Sequence, residues 1–379
     1  MSRPEIEVII PVHDASRPLA RTIESLDRAD FGDRLAITVV AHNIPASAIT
    51  DGLDAPVLQG VTIESCDDGR NTPAGPRRLA MLGSTARYVC FVDSDDWLEP
   101  GALRAWLACA DRHAARHGND PAAIIAPERH ASGKPIRNPP IRLLRTRLDP
   151  LRDRLPYRSA VRGLYSTAAI REQDIDFGTT GGNGSDLAFS LGMWYSGRAL
   201  LFAGGTPAYV LGDDGAVRVT RTPRPLSAEL AACSEILESP WFAGLPEIDR
   251  RLVATKFVRM HLIPGLVSRV DTAADDQLDR IAADGRAFLQ LTGAVAPGYE
   301  RVLALLHRRI ADVLLETDAD PRRLRRLARD WHAFRPLDVA FTRNPLDLLR
   351  RDAPPRWVTA MLLLPLRMRR PSGRRETVR

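Results

Sequence analysis

The chain has 379 residues, 44% of them hydrophobic and 6% aromatic, with 53 Lys and Arg against 47 Asp and Glu, for a formal net charge of +6. This length suffices for one α/β domain with its own core plus a second unit. The four cysteines, at 66, 90, 109 and 233, form no Cys-x-x-Cys pair and fit reduced thiols; with no signal-peptide pattern and no apolar run near the ~20 residues that span a bilayer, a cytoplasmic protein is expected.

Residues 6–26, IEVIIPVHDASRPLARTIESL, predict a buried strand, a Pro-containing turn and an amphipathic helix with Leu19, Ile23 and Leu26 three or four apart. LAITVVAHN, from Leu35 to Asn43, predicts a second strand. An Asp67-Asp68-Gly69 turn follows, then Pro73-Ala74-Gly75-Pro76. Asp68-Gly69 reads either as a ligand-facing turn or as a tight turn in which Gly supplies positive φ.

The most informative stretch is 77–103, where the apolar strand residues Val89, Cys90, Phe91 and Val92 end abruptly in Asp93-Ser94-Asp95-Asp96. Cys90 is expected to be a small core hydrophobe. Three carboxylates within four residues repel one another, and a divalent cation suited to oxygen ligation, Mg²⁺ or Mn²⁺, is the economical counter-ion. The competing reading is that Ser94 or Asp96 caps a helix beginning near Glu99-Pro100. Further on, a Gly-rich approach leads to Asp186, at the first turn of a predicted helix whose Leu187, Leu191 and Trp194 form an apolar stripe. A helix-capping role suits Asp186 there and does not exclude a chemical one. PAYVLGDDGAVRVT, 207–220, reads as an ending strand, a turn and a loop.

The Pro-rich passage around 221–230 marks the expected boundary, because apolar residues then recur at helical spacing amid charge, in five segments punctuated by Gly and Pro. Residues 341–379 carry ten Arg against three acidic residues, a net +7, so the rest of the chain balances to −1. Within this tail, WVTAMLLLPLRMRR (357–370) suits a peripheral segment on an anionic lipid surface; a final core helix followed by a disordered basic tail is the alternative. No aromatic-interleaved basic patch supports nucleic-acid binding.

The opening strand and helix, the Arg-containing segment before the acidic motif and the Asp-x-Asp ending followed by WLEPGAL resemble the inverting family 2 glycosyltransferases. The resemblance is close over about the first 110 residues and looser to about 220. It implies an α/β GT-A domain at 1–225, followed by an α-helical domain at 226–340 and the basic, partly apolar tail at 341–379. It further implies a nucleotide-sugar donor, expected to be UDP-linked, contacted around Pro11, Val12, His13, Asp14, His42, Asp68, Arg77, Asp93 and Ser94. Asp95, with Asp93, would ligate a metal bridging the donor diphosphate, and Asp96 would contribute or support the turn. Asp186 falls where the family has its base, with Ser185 replacing the family's Glu. In 155–177 the resemblance makes Arg158, Arg162 and Tyr165 candidates for phosphate or sugar contacts, and in the later loop Asp213, Asp214 and Arg218. Arg78 stands where many relatives carry Asn, and a solvated surface Arg is the competing reading.

The family's acidic base-reading turn after the second strand is here Ala41-His42-Asn43-Ile44. The later Asp-Asp-Gly turn is a candidate replacement, while His42 is either a base contact or structural. The expected function is therefore metal-dependent transfer of a sugar to an acceptor hydroxyl in cell-envelope polysaccharide, teichoic-acid-like polymer or glycolipid synthesis. The acceptor would be a glycan, a polyol-phosphate or a lipid-linked species. Two alternatives are a non-catalytic scaffold on a degenerate transferase domain and a sugar nucleotidyltransferase. The second would need a Gly-rich, Lys-bearing phosphate loop that PVHDASRP does not offer. A monomer and a homo-oligomer are both compatible with a helical C-terminal domain.

Overall fold

A computed structural model describes residues 3–142, 146–178, 184–212, 224–316, 320, 322–333, 335–356 and 359. The chain forms two compact units, which within those residues comprise 3–178 with 185–212, and 184 with 224–359.

The first unit is built on a seven-stranded sheet in the order β3-β2-β1-β4-β8-β6-β9. Its strands are β1 (Ile6–Val12), β2 (Leu35–His42), β3 (Val61–Cys66), β4 (Tyr88–Phe91), β6 (Ala123–Ile125), β8 (Gly163–Ser166) and β9 (Leu200–Phe202). β1 pairs in parallel with β2, from Ile6↔Leu35 to Val12↔Ala41, and with β4 from Ile6↔Tyr88; β2 and β3 are also parallel. β8 runs antiparallel to both β4 and β6. The near-continuous burial of Ile6, Val8, Ile9, Ile10 and Val12 is what a strand covered on both faces requires. β3, at the sheet edge, has no fully buried residue.

Helix Ala102–His117 places Leu103, Trp106, Leu107 and Ala110 in the core at three- and four-residue spacing. Cys90 is wholly buried, as a small core hydrophobe should be. A second sheet, β5-β10-β7, joins β5 (Trp97–Leu98), β10 (Tyr209–Leu211) and β7 (Glu128–His130). It ties the segment after the acidic motif to a strand more than a hundred residues later.

The second unit is helical, with principal helices Leu226–Glu238, Glu247–Phe257, Ile263–Val270, Asp275–Val295, Leu305–Leu315 and Arg322–His332. Pro264 lies within a helical run, as the unbroken helical spacing of 248–270 predicts. The helix from Glu247 widens to a π turn at Val258–Leu262 and continues as Ile263–Val270 through Pro264. A proline ring clashes with the carbonyl four residues before it, and the wider turn accommodates both the ring and the missing N–H. Residues 341–356 pack on this unit: Thr342 bridges Ala304, Asp352 O accepts from Arg259 Nη2 at 2.9 Å, and Ala353 is fully buried. The 357–370 tail and the Asp213, Asp214 and Arg218 loop lie outside the described residues, apart from position 359.

Candidate active site

The parallel strands β3, β2, β1 and β4 deliver Asp68, His42, His13 with Asp14, and Asp93 at their carboxyl ends, the edge at which open α/β sheets bind ligands. Pro11 and Val12 are the last two residues of β1, buried and in register with Val40 and Ala41 of β2. Partial burial, then the Arg17 charge, hold the His13 imidazole below its ordinary pKa, with Asp14, His42 and Asp95 also within electrostatic reach. Asp14 ties down the turn itself, accepting from Ser16 N at 2.9 Å and Ser16 Oγ at 2.6 Å.

At the acidic motif, arginines pair with the carboxylates. Arg77 donates from Nη2 to Asp93 Oδ1 at 2.5 Å and from Nη1 to Asp186 Oδ1 at 2.7 Å, and Arg17 pairs with Asp95 Oδ2. The Arg77 side chain is only 5% exposed, whereas those of Asp93 and Asp186 are 37% and 24% exposed, so a buried cation presents two carboxylates to solvent. Burial opposes the Arg77 charge, but Asp186 and Asp93 outweigh it and raise its pKa. Burial opposes the Asp93 charge too, and Arg77 and Arg162 more than compensate, lowering that pKa.

Asp96 faces inward and supports the turn. Its Oδ2 accepts from Tyr209 Oη at 2.8 Å and its Oδ1 from Gly212 N at 2.8 Å, while Tyr209 Oη accepts from Asp93 N at 3.0 Å. Burial, then the neighbouring Asp93 charge, push the Asp96 carboxyl up to about 7. Ser94 is buried, and its carbonyl accepts from Thr22 Oγ1 at 3.1 Å, a hydroxyl that also reaches Asp96 O at 2.7 Å. The helix that begins after Gly101 is capped by neither Ser94 nor Asp96.

The altered turn after β2 and the later Asp-Asp-Gly turn meet. His42 Nε2 lies 2.8 Å from Asp68 Oδ1, Asn43 Oδ1 accepts from Gly69 N at 3.0 Å, and Asn43 Nδ2 donates to Arg70 O at 2.9 Å. Gly69 has φ +64°, so the turn needs its glycine and also faces the sheet edge. Burial raises the Asp68 pKa, but the hydrogen bonds from His42 and from Arg70 N prevail and lower it. Gly75 makes room for this carboxylate, since a Cβ there would overlap Asp68 Oδ2.

Asp186 opens the helix Asp186–Trp194 with its side chain on Arg77, and it caps no backbone N–H. Leu187, Leu191 and Trp194 are buried beneath it. Three sequence candidates turn out to be interior. Arg158 and Tyr165 are buried, Arg158 against Glu128 and two carbonyls, and Arg162 donates to Glu128 Oε1 at 2.8 Å while stacking over Tyr209. None lies on an exposed helix face, and Arg158 and Tyr165 are too enclosed for the sugar or phosphate contact expected of them. Arg78 is a surface arginine, paired with Asp176 at 2.5 Å.

Sequence reasoning missed Arg17, Thr22 and Tyr209. A local signal existed for the first of these: Arg17, in the turn before the helix, and Arg21, on the helix Leu19–Glu24, are four residues apart and both reach Asp95, the first at its carboxylate and the second at its carbonyl. Tyr209 had no local signal.

Asp93 and Asp95 each engage arginine through one oxygen and remain partly open to solvent. Two such carboxylates fit a small oxygen-seeking cation that takes its other ligands from substrate phosphates and water. The acidic motif forms no three-carboxylate cage. Among the described residues, the group of three ligand atoms within 4.8 Å of one another is His42, Cys66 and Asp68.

No family model matches the chain. The crystal structure of Staphylococcus aureus TarS 1–349 in complex with UDP-GlcNAc superposes with a TM-score of 0.70 at 16% identity, covering 87% of this chain and 92% of that one. The fold is that of the GT-A glycosyltransferases, followed by a helical region. The longer TarS crystal structure gives a TM-score of 0.66 at 16% identity, with 86% of this chain and 55% of that chain covered. In sequence, the poly(ribitol-phosphate) beta-N-acetylglucosaminyltransferase TarS of S. aureus strain Mu50 is 20% identical over 174 residues, which is 46% of this chain. That match spans 29% of the curated relative's own length.

Proposed function

We propose that this protein is an inverting glycosyltransferase that moves a sugar from a UDP-linked donor to a hydroxyl of a polyol-phosphate or related cell-envelope acceptor. The observation that carries the proposal is the Arg77 bridge, which sets a diphosphate-side carboxylate, Asp93, and a candidate base, Asp186, on one buried guanidinium at the carboxyl edge of the sheet. The likeness to a structure holding UDP-GlcNAc supports a UDP-sugar donor, and the name of that relative supports a poly(ribitol-phosphate)-like acceptor.

In this reading, β1 through Pro11, Val12, His13 and Asp14, together with His42 and Asp68, lines the nucleoside end of the donor. Arg77, Asp93 and Ser94 flank the diphosphate. Asp95, with Asp93, would hold Mn²⁺ or Mg²⁺, which would neutralise charge gathering on the departing diphosphate. Asp186 accepts the acceptor hydroxyl's proton as that oxygen attacks the anomeric carbon from the face opposite the leaving group. Residues 1–225 supply the transferase unit, residues 226–340 a helical domain, and the tail beyond 340 a contact with the inner face of the membrane.

The deciding experiment measures UDP release and product from UDP-GlcNAc with poly(ribitol-phosphate), in Mn²⁺, Mg²⁺ or chelator, for wild type and Asp186→Asn. Acceptor-dependent, metal-dependent turnover lost in the variant, with an inverted anomeric configuration by NMR, supports the proposal. Donor binding without turnover on any acceptor of a polyol-phosphate panel would leave a binding protein instead.

A further inference from the structure

The geometry points to a folded membrane-docking surface on the helical unit, formed by residues 335–356 and directed at anionic lipid. Leu337, Leu346 and Leu349 are 68%, 73% and 71% exposed, and Phe341 is 43% exposed. These are four large apolar side chains open to solvent within thirteen residues, a density that marks an interaction site. Leu346 and Leu349 lie on the 3₁₀ turn Pro345–Leu349 and line a cleft of about 540 Å³ with Arg301, Asn344, Asp347 and Arg350.

Charge selects the occupant. Of the segment's three acidic residues, Asp338 and Asp347 are buried, the first beside Arg309 and the second bonded to Arg350, and Asp352 is half-buried. The basic residues turn outward: Arg335 and Arg343 are 65% and 72% exposed, beside Asp330 at 3.7 Å and Asp312 at 3.4 Å, and Arg350, Arg351 and Arg356 are exposed too. With five arginines against three acidic residues in 335–356, the face is net positive and would repel a second copy of itself. It complements a surface that is apolar inside and negative outside, where leucines enter the acyl boundary and guanidinium groups meet lipid phosphates. The sequence continues in the same composition, with Leu362, Leu363, Leu364 and Leu366 followed by Arg367, Arg369 and Arg370. The surface takes in the first part of that tail, 341–356, which is folded onto the unit through Thr342 and Ala353.

The test is co-sedimentation of the full chain with vesicles of phosphatidylcholine alone or mixed with phosphatidylglycerol, without donor or acceptor, so its failure leaves the transferase proposal untouched. Wild type should bind the mixed vesicles, release in high salt and ignore phosphatidylcholine. Leu346→Ser combined with Leu349→Ser should weaken binding at least about tenfold with unchanged melting temperature, since both side chains are already exposed. Arg343→Gln with Arg356→Gln should weaken it severalfold and flatten the salt dependence. A tail variant, Leu362→Ser with Leu364→Ser, should retain measurable binding. The inference is overturned if the Leu346/Leu349 variant binds like wild type, if wild type binds neither vesicle, or if sedimentation velocity shows a dimer that the same variant dissolves.

Discussion

Arg77 holds Asp93 and Asp186, 93 positions apart in sequence, on its two terminal nitrogens. A guanidinium can do this because its fork offers two donors in one plane, and a lysine cannot. Arg77→Lys should therefore lower kcat about a hundredfold, with a smaller change in melting temperature. Arg77→Met should also destabilise the fold by about 1–3 kcal/mol, toward the low end for a broken buried pair because both carboxylates reach solvent. Thermal melts beside steady-state kinetics separate the two effects, and wild-type kcat in the Lys variant would exclude a bridging role.

Asp186→Asn keeps the shape at the start of its helix and removes the carboxylate proposed to take the acceptor's proton. Turnover should fall by about 10²–10⁴-fold, while UDP-GlcNAc affinity by calorimetry changes only a few-fold. A comparable loss in donor affinity would move Asp186 from proton transfer to donor binding.

Gly75 sits where a methyl group would overlap Asp68 Oδ2. Gly75→Ala should displace that carboxylate from His42 and raise the donor Kd by about tenfold, a cost near 1.4 kcal/mol, with the fold intact. Unchanged donor affinity would show that Asp68 does not face the nucleotide.

Asp96 titrates at about 7 in the folded chain, against 3.8 as a free side chain. An acid whose pKa is raised on folding adds stability that is complete below the unfolded value and lost as pH rises through the folded one. The stability of wild type relative to Asp96→Asn should accordingly fall by about 2–4 kcal/mol between pH 4 and pH 8. Urea unfolding across that range checks it, and a flat difference would mean that Asp96 is ionised throughout.

Lys256, fully enclosed in the helical unit, points Nζ at His261 Nε2, 2.9 Å away. Burial pulls its pKa down to about 8 from 10.5, with Cys233 opposing the shift weakly. A base with a depressed folded pKa contributes stability present above the unfolded value and lost as pH falls through the folded one. Lys256→Met should therefore gain on wild type as pH drops from about 10 to 7, by about 1–3 kcal/mol. The lost hydrogen bond to His261 sets the offset of that curve and not its slope.

The sheet edge was readable because its strands announce themselves: Ile6 to Val12, Leu35 to His42 and Tyr88 to Phe91 are short apolar runs, and each ends in polar residues. The helix under Asp186 was readable from Leu187, Leu191 and Trp194. Arginine pairing was not, since whether Arg158 is a solvated cation or the buried partner of Glu128 depends on a strand pairing that brings 128 and 158 together. The same limit hid Arg17 on Asp95.

Tyr209 has a consequence for the order in which the site is made. Its hydroxyl pins both Asp93 N and Asp96, across sequence separations of 116 and 113 residues. Strands β1 to β4 can assemble from the first ninety or so residues of a growing chain, but the turn after them lacks its pin until synthesis passes β10. A ribosome-bound nascent chain should thus carry a folded sheet before it carries a competent acidic turn, because the closing contact is among the most non-local in the unit.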